Sequence, residues 1–159
     1  MLPFLNRAQP WVITAFRIVV GFLFFCHGAS TLFAWFKEPY GGGTAEIGAW
    51  PSWWAGIIEF VGGLAIMLGI GTRIAAFIGS GAMAVAYFWM HTDGLLPIQN
   101  DGDSAALFCW ALFLLVFIGP GRLALSSLIS DRNDDADTPP TAKDSSKETE
   151  PDAPEPVNA

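Results

Sequence analysis

Three ionisable residues lie inside stretches that are otherwise apolar: Arg17, His27 and Glu59. In the run WAGIIEFVGGLAIMLGIG, residues 54–71, Glu59 is the only charged side chain. An ionisable group is costly wherever water is scarce, and a partner of matching chemistry offsets that cost. A carboxyl beside an imidazole can also relay protons. These residue types predict a buried polar cluster of Arg17, His27 and Glu59, which serves either proton chemistry or the register of the helices that carry it.

A second polar group, Asn100 and Asp103, falls in the segment NDGD before the last apolar run. Asn, Gly and Asp favour a turn, and an aspartate directly before Ser-Ala-Ala is typical of a helix N-cap. The segment therefore predicts a turn that also forms a polar mouth over the outer end of the protein.

Metal, disulfide and haem chemistry have weaker support in the sequence. Cys26 and Cys109 both lie in apolar runs, where cysteine packs as a small apolar residue, and zinc would need four ligands at short spacings. His27 and His91 could form a pair of haem ligands, but His91 falls at the outer end of its run, well above His27. We therefore expect no metal site, and no cofactor is evident from these residues alone.

The composition is typical of a membrane protein. Hydrophobic residues make up 52% of the 159 residues and charged residues 14%, which is too apolar for an average soluble domain. The formal net charge is −7, whereas a nucleic-acid-binding protein would need a basic stripe. Composition thus predicts the lipid bilayer as a partner and excludes nucleic acid.

Four apolar runs follow one another along the chain, separated by glycine, proline or charge. A helix needs ~17–25 apolar residues to cross the hydrocarbon core, and these runs are too long and too uniform for strands. The first run also exceeds the ~7–15 residues of a signal-peptide core. We predict an all-α, multi-pass fold: an antiparallel bundle of four transmembrane helices at about residues 11–36, 53–70, 74–90 and 104–119.

The charges divide the chain into two parts. Residues 131–159 hold nine acidic and three basic residues, against six and five in residues 1–130. A segment this polar cannot bury enough apolar surface to offset the entropy of ordering. We therefore predict a membrane domain at residues 1–130 and a disordered acidic C-terminal tail at residues 131–159.

The basic residues predict the orientation in the membrane. With four spans, one side collects Arg7, Arg73, Arg122 and Arg132, and the other side carries Lys37. Short cytoplasmic loops are enriched in Lys and Arg, whereas acidic residues count for little. Both termini should therefore face the cytoplasm.

Helix geometry predicts that His27 and Glu59 lie at nearly the same depth. At ~1.5 Å per residue, His27 falls about 5 Å and Glu59 about 4 Å to the outer side of the centre of its own run. Arg17 falls about 10 Å to the inner side, although its long side chain can reach part of the way back. Small residues beside them, such as Gly28 and Gly63, would let the helices approach closely.

Four motifs in this order resemble the DoxX family, small four-helix membrane proteins of bacteria and archaea. They are RIVVGFLFFCHG, EFVGGLAIMLGIGTRIAA, NDGDSAAL and GPGR, and the resemblance spans about residues 15–125. Two positions depart from the family pattern. Thr31 stands near the place where members often carry a lysine, and the chain reads Leu-Ala-Leu-Ser after GPGR where many members have Ser-Leu-Asp.

The resemblance implies a bacterial plasma (inner) membrane setting and a redox role. The family name is attached to membrane oxidoreductases, including a subunit of a quinone-reducing complex, and other members look like partners of redox proteins. The leading hypothesis is a membrane subunit of a quinone-linked oxidoreductase, whose polar cluster binds or protonates a quinone-like headgroup. By resemblance, the positions to test are Arg17, His27, Glu59, Asn100 and Asp103.

Two other hypotheses stay open at this point. The chain could be a non-catalytic accessory or scaffold subunit that binds a larger membrane complex through its outer loops. It could also be a small transporter, although four short helices lack the inverted repeats common in secondary carriers. No catalytic motif is visible, so the sequence leaves open whether the chain is part of an enzyme.

Overall fold

The computed structural model describes residues 3–39, 42–91, 94 and 96–125. Within them lie four helices: α1 (Pro3–Phe33), α2 (Ser52–Leu68), α3 (Thr72–Met90) and α4 (Asp103–Ile118). The described residues include no strand, so the predicted all-α class is confirmed for them. The acidic tail predicted for residues 131–159 lies outside the described ranges.

α1 begins and ends earlier than its apolar run predicts. It begins at Pro3 rather than Trp11, because Pro10 removes one backbone hydrogen bond without ending the helix. It ends before Ala34 rather than at Phe36. These two residues have φ values of 54° and 70°, in the left-handed region that terminates an α-helix.

Two of the helices, α1 and α3, are long and apolar enough to cross a membrane. α2 and α4 are apolar but shorter, with 17 and 16 residues. At ~1.5 Å per residue they extend about 26 Å and about 24 Å, slightly less than the ~30 Å of a typical hydrocarbon core. Large apolar side chains are exposed on all four helices, which suits a surface in contact with lipid.

A tight turn joins α2 to α3. α2 ends at Gly69, whose left-handed backbone (φ 78°) lets the chain reverse, and the Ile70 N–H donates to the Ala65 carbonyl at 2.9 Å. Gly71, which also has a positive φ, precedes α3. The turn makes α2 and α3 antiparallel neighbours. We call the end of the protein that carries this turn the inner end, and the opposite end the outer end.

The core forms around Phe24, where the four helices meet. Phe24 is fully buried, and a Cβ added to Gly79 of α3 would stand 2.9 Å from its ring. Ile66 of α2 and Leu112 and Leu115 of α4 are fully buried in the same cluster. A large ring therefore fills the space that a glycine leaves, which is the packing expected where close contact replaces the hydrophobic effect.

The helices associate as two pairs. α1 packs mainly on α2, and α3 mainly on α4. The contacts between α2 and α3, and between α1 and α4, are smaller. The two pairs meet at the core, and the space left between them lies toward the outer end.

Candidate functional site

α1 and α2 approach so closely that backbone touches backbone. Gly28 of α1 lies against Gly56 and Phe60 of α2, and an added Cβ would stand 2.7 Å from the Gly56 carbonyl oxygen. Nearer the inner end, a Cβ added to Gly21 would stand 2.7 Å from the backbone nitrogen of Met67. Real Cβ atoms essentially never make contacts this short, so this approach requires glycine.

The same register sets His27 and Glu59 at one level. His27 directly precedes Gly28, and Glu59 directly precedes Phe60, the residue against which Gly28 lies. As residue numbers fall along α1 they rise along α2, so the two helices run antiparallel and these neighbours share a height. In the described part of the chain no hydrogen bond joins the two side chains, but both line one cavity.

The cavity occupies about 1030 Å³ in the outer half of the protein, between the two helix pairs. All four helices contribute to its wall, and segments 42–46 and 49–52 line it from the outer end. Small-molecule sites usually measure ~300–1,000 Å³, so this space suits a sizeable organic ligand.

Glu59 is a buried acid with one unbonded oxygen. Its side chain is 8% exposed, and Oε2 has no hydrogen-bond partner among the described residues. A buried polar atom left without a partner costs free energy, which a ligand or an ordered water would recover. Glu59 is also one of the residues that line the cavity.

His27 presents its imidazole to the same cavity. The residue is exposed, and its ring stands edge-on to the ring of Phe108, another lining residue, with 5.2 Å between centroids. Its backbone carbonyl accepts a hydrogen bond from the Thr31 hydroxyl, one helical turn further on, at 3.1 Å. His27 and Glu59 thus line one shared cavity.

Arg17 lies apart from this pair, at the inner end. Its side chain is 1% exposed and donates a hydrogen bond from Nη2 to the carbonyl oxygen of Leu123. A Cβ added to Gly69 would overlap Nη1, so the guanidinium fits against the turn between α2 and α3. Arg17 does not line the cavity. The structure brings His27 and Glu59 to one cavity and places Arg17 elsewhere, because its side chain turns toward the inner end.

Two other arginines fasten the end of α4 and the segment after it at the inner end. Arg73 Nη1 donates to the Val116 carbonyl at 3.1 Å. The backbone N–H of Arg122 donates to Thr14 Oγ1 at 3.1 Å, and its guanidinium lies 5.6 Å from the centroid of the Trp11 ring. The GPGR motif therefore serves to tie the end of α4 to α1, on the side of the protein opposite the cavity.

Asn100 fastens the outer loop between α3 and α4. Its Nδ2 donates to the carbonyls of His91 at 2.7 Å and Gly94 at 3.1 Å. Its Oδ1 accepts from the Gly102 N–H at 3.0 Å. Both amide protons and the amide oxygen are bonded within the loop, so Asn100 positions the rim of the cavity and does not line its wall.

Asp103 begins α4 and does not cap it. Gly102 holds the N-cap position without a side-chain hydrogen bond, so the predicted aspartate cap is corrected. Gly102 lies against the Tyr87 ring, where an added Cβ would stand 2.7 Å from a ring carbon. Asp103 is exposed and outside the cavity, whereas its neighbours Asp101 and Ser104 line it.

His91 is a wall residue that sequence reasoning did not assign to this site. It lines the cavity at the outer end of α3, and its Nδ1 lies 2.8 Å from the Asn100 carbonyl oxygen. Because a carbonyl only accepts, Nδ1 carries the proton of that bond. Its position gives no periodic signal, because His91 does not stand at a same-face helical spacing from Ala82 or Ala86, which also line the cavity. The described residues hold no group of three His, Cys, Asp or Glu side chains placed to bind a metal ion.

Comparison with known proteins identifies the family. The DoxX pattern matches residues 12–92, about half of the chain. The chain belongs to the DoxX family. It is also similar to an uncharacterised protein of Haemophilus influenzae, with 38% identity over 127 residues that cover 77% of this chain and 94% of that protein. No solved structure matches the chain.

The DoxX match confirms the resemblance and locates it. It runs from α1 to the end of α3 and includes both His27 and Glu59. It ends before Asn100 and before the GPGR segment. DoxX membership makes the chain a membrane-protein family member, and the matched region holds the two ionisable residues that share the cavity.

Proposed function

We propose that this DoxX-family protein is a membrane subunit of a quinone-linked redox system, and that its cavity binds a quinone-like headgroup. One observation carries the proposal: Glu59, whose buried Oε2 has no hydrogen-bond partner among the described residues, lines a cavity that His27 also lines. Ionisable residues inside membrane helices are costly and by default mark functional sites.

The chemistry of a quinone fits these two side chains. Its ring oxygens accept hydrogen bonds, and its reduction to a quinol takes up electrons together with an equal number of protons. Glu59 would hydrogen-bond one ring oxygen and exchange a proton with it. His27 would pass protons between that position and the polar rim, where Lys37 and Glu38 line the cavity. The electrons would be exchanged with a partner, a membrane or membrane-associated oxidoreductase.

The proposal includes a location. We infer a bacterial plasma (inner) membrane, four spans, and both termini in the cytoplasm. Arg73 and Arg122 lie at the inner end, and basic residues accumulate on the cytoplasmic side of the membrane. The cavity would then lie in the half of the membrane that faces away from the cytoplasm.

Photolabelling tests the quinone site. Purified protein in lipid nanodiscs is irradiated with a photoreactive quinone, and covalent incorporation that unlabelled quinone can compete away is measured. Glu59→Gln keeps the size of the side chain and removes its proton exchange. We expect labelling of this variant to fall severalfold, because the Gln amide can still donate a hydrogen bond to the quinone oxygen but is a weaker donor than a carboxylic acid and cannot transfer its proton. His27→Ala should also label more weakly than the wild type.

Asp103→Asn is the matched control, because it makes the same change of carboxyl to amide outside the cavity. It should label like the wild type. Equal labelling of the wild type and Glu59→Gln would contradict the proposal. Melting temperatures of all variants, measured in the same nanodiscs, separate the loss of a site from the loss of the fold.

Exposed apolar residues in the outer loop favour a second function, that of a non-catalytic accessory subunit. Ile47 is 91% exposed, and Phe36 and Trp50 are also exposed. Clustered exposed apolar residues mark protein or membrane contacts. In this case His27→Ala would lower the amount of assembled complex without changing the turnover of each complex. Purification from native membranes, with identification of co-eluting proteins, measures both quantities.

A further inference from the structure

The cavity has an apolar side opening between α2 and α3. Ile78 and Val85 of α3 line the cavity, while 50% and 52% of their surfaces are exposed. On the α2 side, Trp54 lines the cavity and is likewise exposed. A side chain that is at once cavity wall and outer surface lies at an opening. Since this opening is bordered by apolar residues on the flank of the helices, it faces lipid.

The pairing of the helices explains why the opening lies there. Contacts at Gly21 and Gly28 hold α2 against α1, while α3 packs on α4. The turn after Gly69 joins α2 to α3 at the inner end, and the contact between these two helices is smaller than the contact within either pair. Ala82 and Ala86 turn their small side chains into the space that results.

The remaining boundaries of the cavity are more polar. Segments 42–46 and 49–52 line the outer end, and the Ala45 N–H donates to the Thr31 carbonyl at 3.0 Å, which draws this loop toward α1. At depth, the wall includes Glu59, whose buried Oε2 has no hydrogen-bond partner among the described residues. A ligand that matches these boundaries has a polar head for the interior and an apolar chain for the side opening.

We infer that the ligand is a long-chain quinone taken directly from the bilayer through this opening, with its head between Glu59 and His27 and its chain running out over Ile78 and Val85. The inference rests on the proposed function and adds to it the chain and the route. A volume of about 1030 Å³ accommodates a quinone ring and the first part of a chain. The rest of the chain stays among the lipid tails, so its apolar surface never enters water.

A pair of quinones with the same head, one with an isoprenoid chain and one without, tests the route. Their dissociation constants are measured on protein in nanodiscs, with ligand concentrations expressed relative to lipid so that partitioning cancels. For the wild type we expect the long-chain quinone to bind severalfold more tightly, because the first part of its chain packs against Ile78 and Val85. With lipid as the reference state this gain comes from packing and not from transfer out of water.

Bulky substitutions at the opening supply the second comparison. Ile78→Trp and Val85→Trp narrow it, and Ile74→Trp is the matched control, an exposed apolar residue of the same helix that does not line the cavity. The two opening variants should abolish the advantage of the long-chain quinone and leave the chainless quinone within about twofold of its wild-type affinity. The control should change neither value.

The outcomes separate the route from the site. Equal loss of both quinones in the opening variants would overturn the route and leave a quinone site in place. Equal affinity of the wild type for the two quinones would likewise overturn the route and leave a quinone site in place. This comparison needs no variant. If the wild type binds neither quinone, the proposed function and the inference fail together.

Discussion

The guanidinium of Arg17 donates a hydrogen bond to the backbone carbonyl of Leu123, across 106 positions of sequence. The contact joins α1 to the segment that follows α4, and the same guanidinium packs against Gly69 at the turn between α2 and α3. A buried charge therefore closes the inner end of the protein, and the cavity lies at the other end.

Replacing Arg17 should weaken the fold and spare the cavity. Arg17→Met keeps much of the length of the side chain but leaves the Leu123 carbonyl without its donor. Because Nε and Nη1 of Arg17 are themselves buried without partners among the described residues, their removal offsets part of the cost, and we expect a loss of about 1 kcal/mol in the free energy of unfolding. Denaturant titration in micelles measures it, with Arg7→Met, an exposed position on α1, as the control. A loss of chainless-quinone affinity at unchanged stability would instead place Arg17 in the ligand site.

Two glycine-to-alanine changes should have opposite effects. A Cβ at Gly28 meets the backbone of α2, whereas a Cβ at Gly81 meets nothing within 4 Å. We expect Gly28→Ala to destabilise by ~1–3 kcal/mol through overpacking. Gly81→Ala should be neutral or stabilise by up to ~1 kcal/mol, because alanine favours the helix. The measurement is the melting temperature of each purified variant relative to the wild type. Similar shifts for both variants would contradict the close approach of α1 and α2.

Glu59→Leu should separate stability from binding. The change removes an acid whose Oε2 is buried without a partner among the described residues, so the melting temperature should stay the same or rise. Quinone photolabelling should be lost. Ser80→Ala is the contrast, since the Ser80 hydroxyl donates to the Cys109 carbonyl at 2.9 Å and its removal should lower the melting temperature. A clear drop in stability for Glu59→Leu would show that the carboxyl holds the helices together.

Asn100→Ala should loosen the loop between α3 and α4. It removes hydrogen bonds to His91, Gly94 and Gly102, so local opening should become easier by ~1–3 kcal/mol. Limited proteolysis of the loop reports this opening, and cleavage should become faster than in the wild type. Gln99→Ala, an exposed neighbour, should be cleaved at the wild-type rate. Equal rates for both variants would refute the role assigned to Asn100.

The predicted orientation is testable with reporter fusions. Green fluorescent protein fused to the C-terminus should fluoresce, because it folds in the cytoplasm. Alkaline phosphatase inserted after Gly43, in the loop between α1 and α2, should be active, because that enzyme matures outside the cytoplasm. The reverse pattern would show the opposite orientation in the membrane, with the cavity on the cytoplasmic side.

The helices were predictable because their signal is long and redundant. Apolar runs bounded by glycine, proline and charge predict helices whatever the individual side chains do, and the ordered motifs also predicted the DoxX family. The ends of α1 were not predictable in this way. Tolerance of Pro10 inside the helix and the left-handed backbone of Ala34 depend on local geometry that composition does not report.

The site was predictable only where residue counting sufficed. The common height of His27 and Glu59 follows from the rise per residue along antiparallel helices. The partner of Arg17 did not follow, because a backbone carbonyl far along the chain has no sequence signature. The cavity did not follow either, since it arises from how two helix pairs diverge and not from any residue type.

The backbone contact between α1 and α2 also limits how the protein can move. Because α1 and α2 are in backbone contact at Gly28 and Gly21, sliding or rotation of one helix against the other is restricted, and we expect the two helices to move as one unit. The α3–α4 pair would move as a second unit. The two units are joined at the inner end by the turn at Gly69 and by the contacts of Arg17, so relative motion would be largest at the outer end. A ligand bound between the two helix pairs would hold them apart. This change in spacing would shift the outer loops, the surface available to a docking protein.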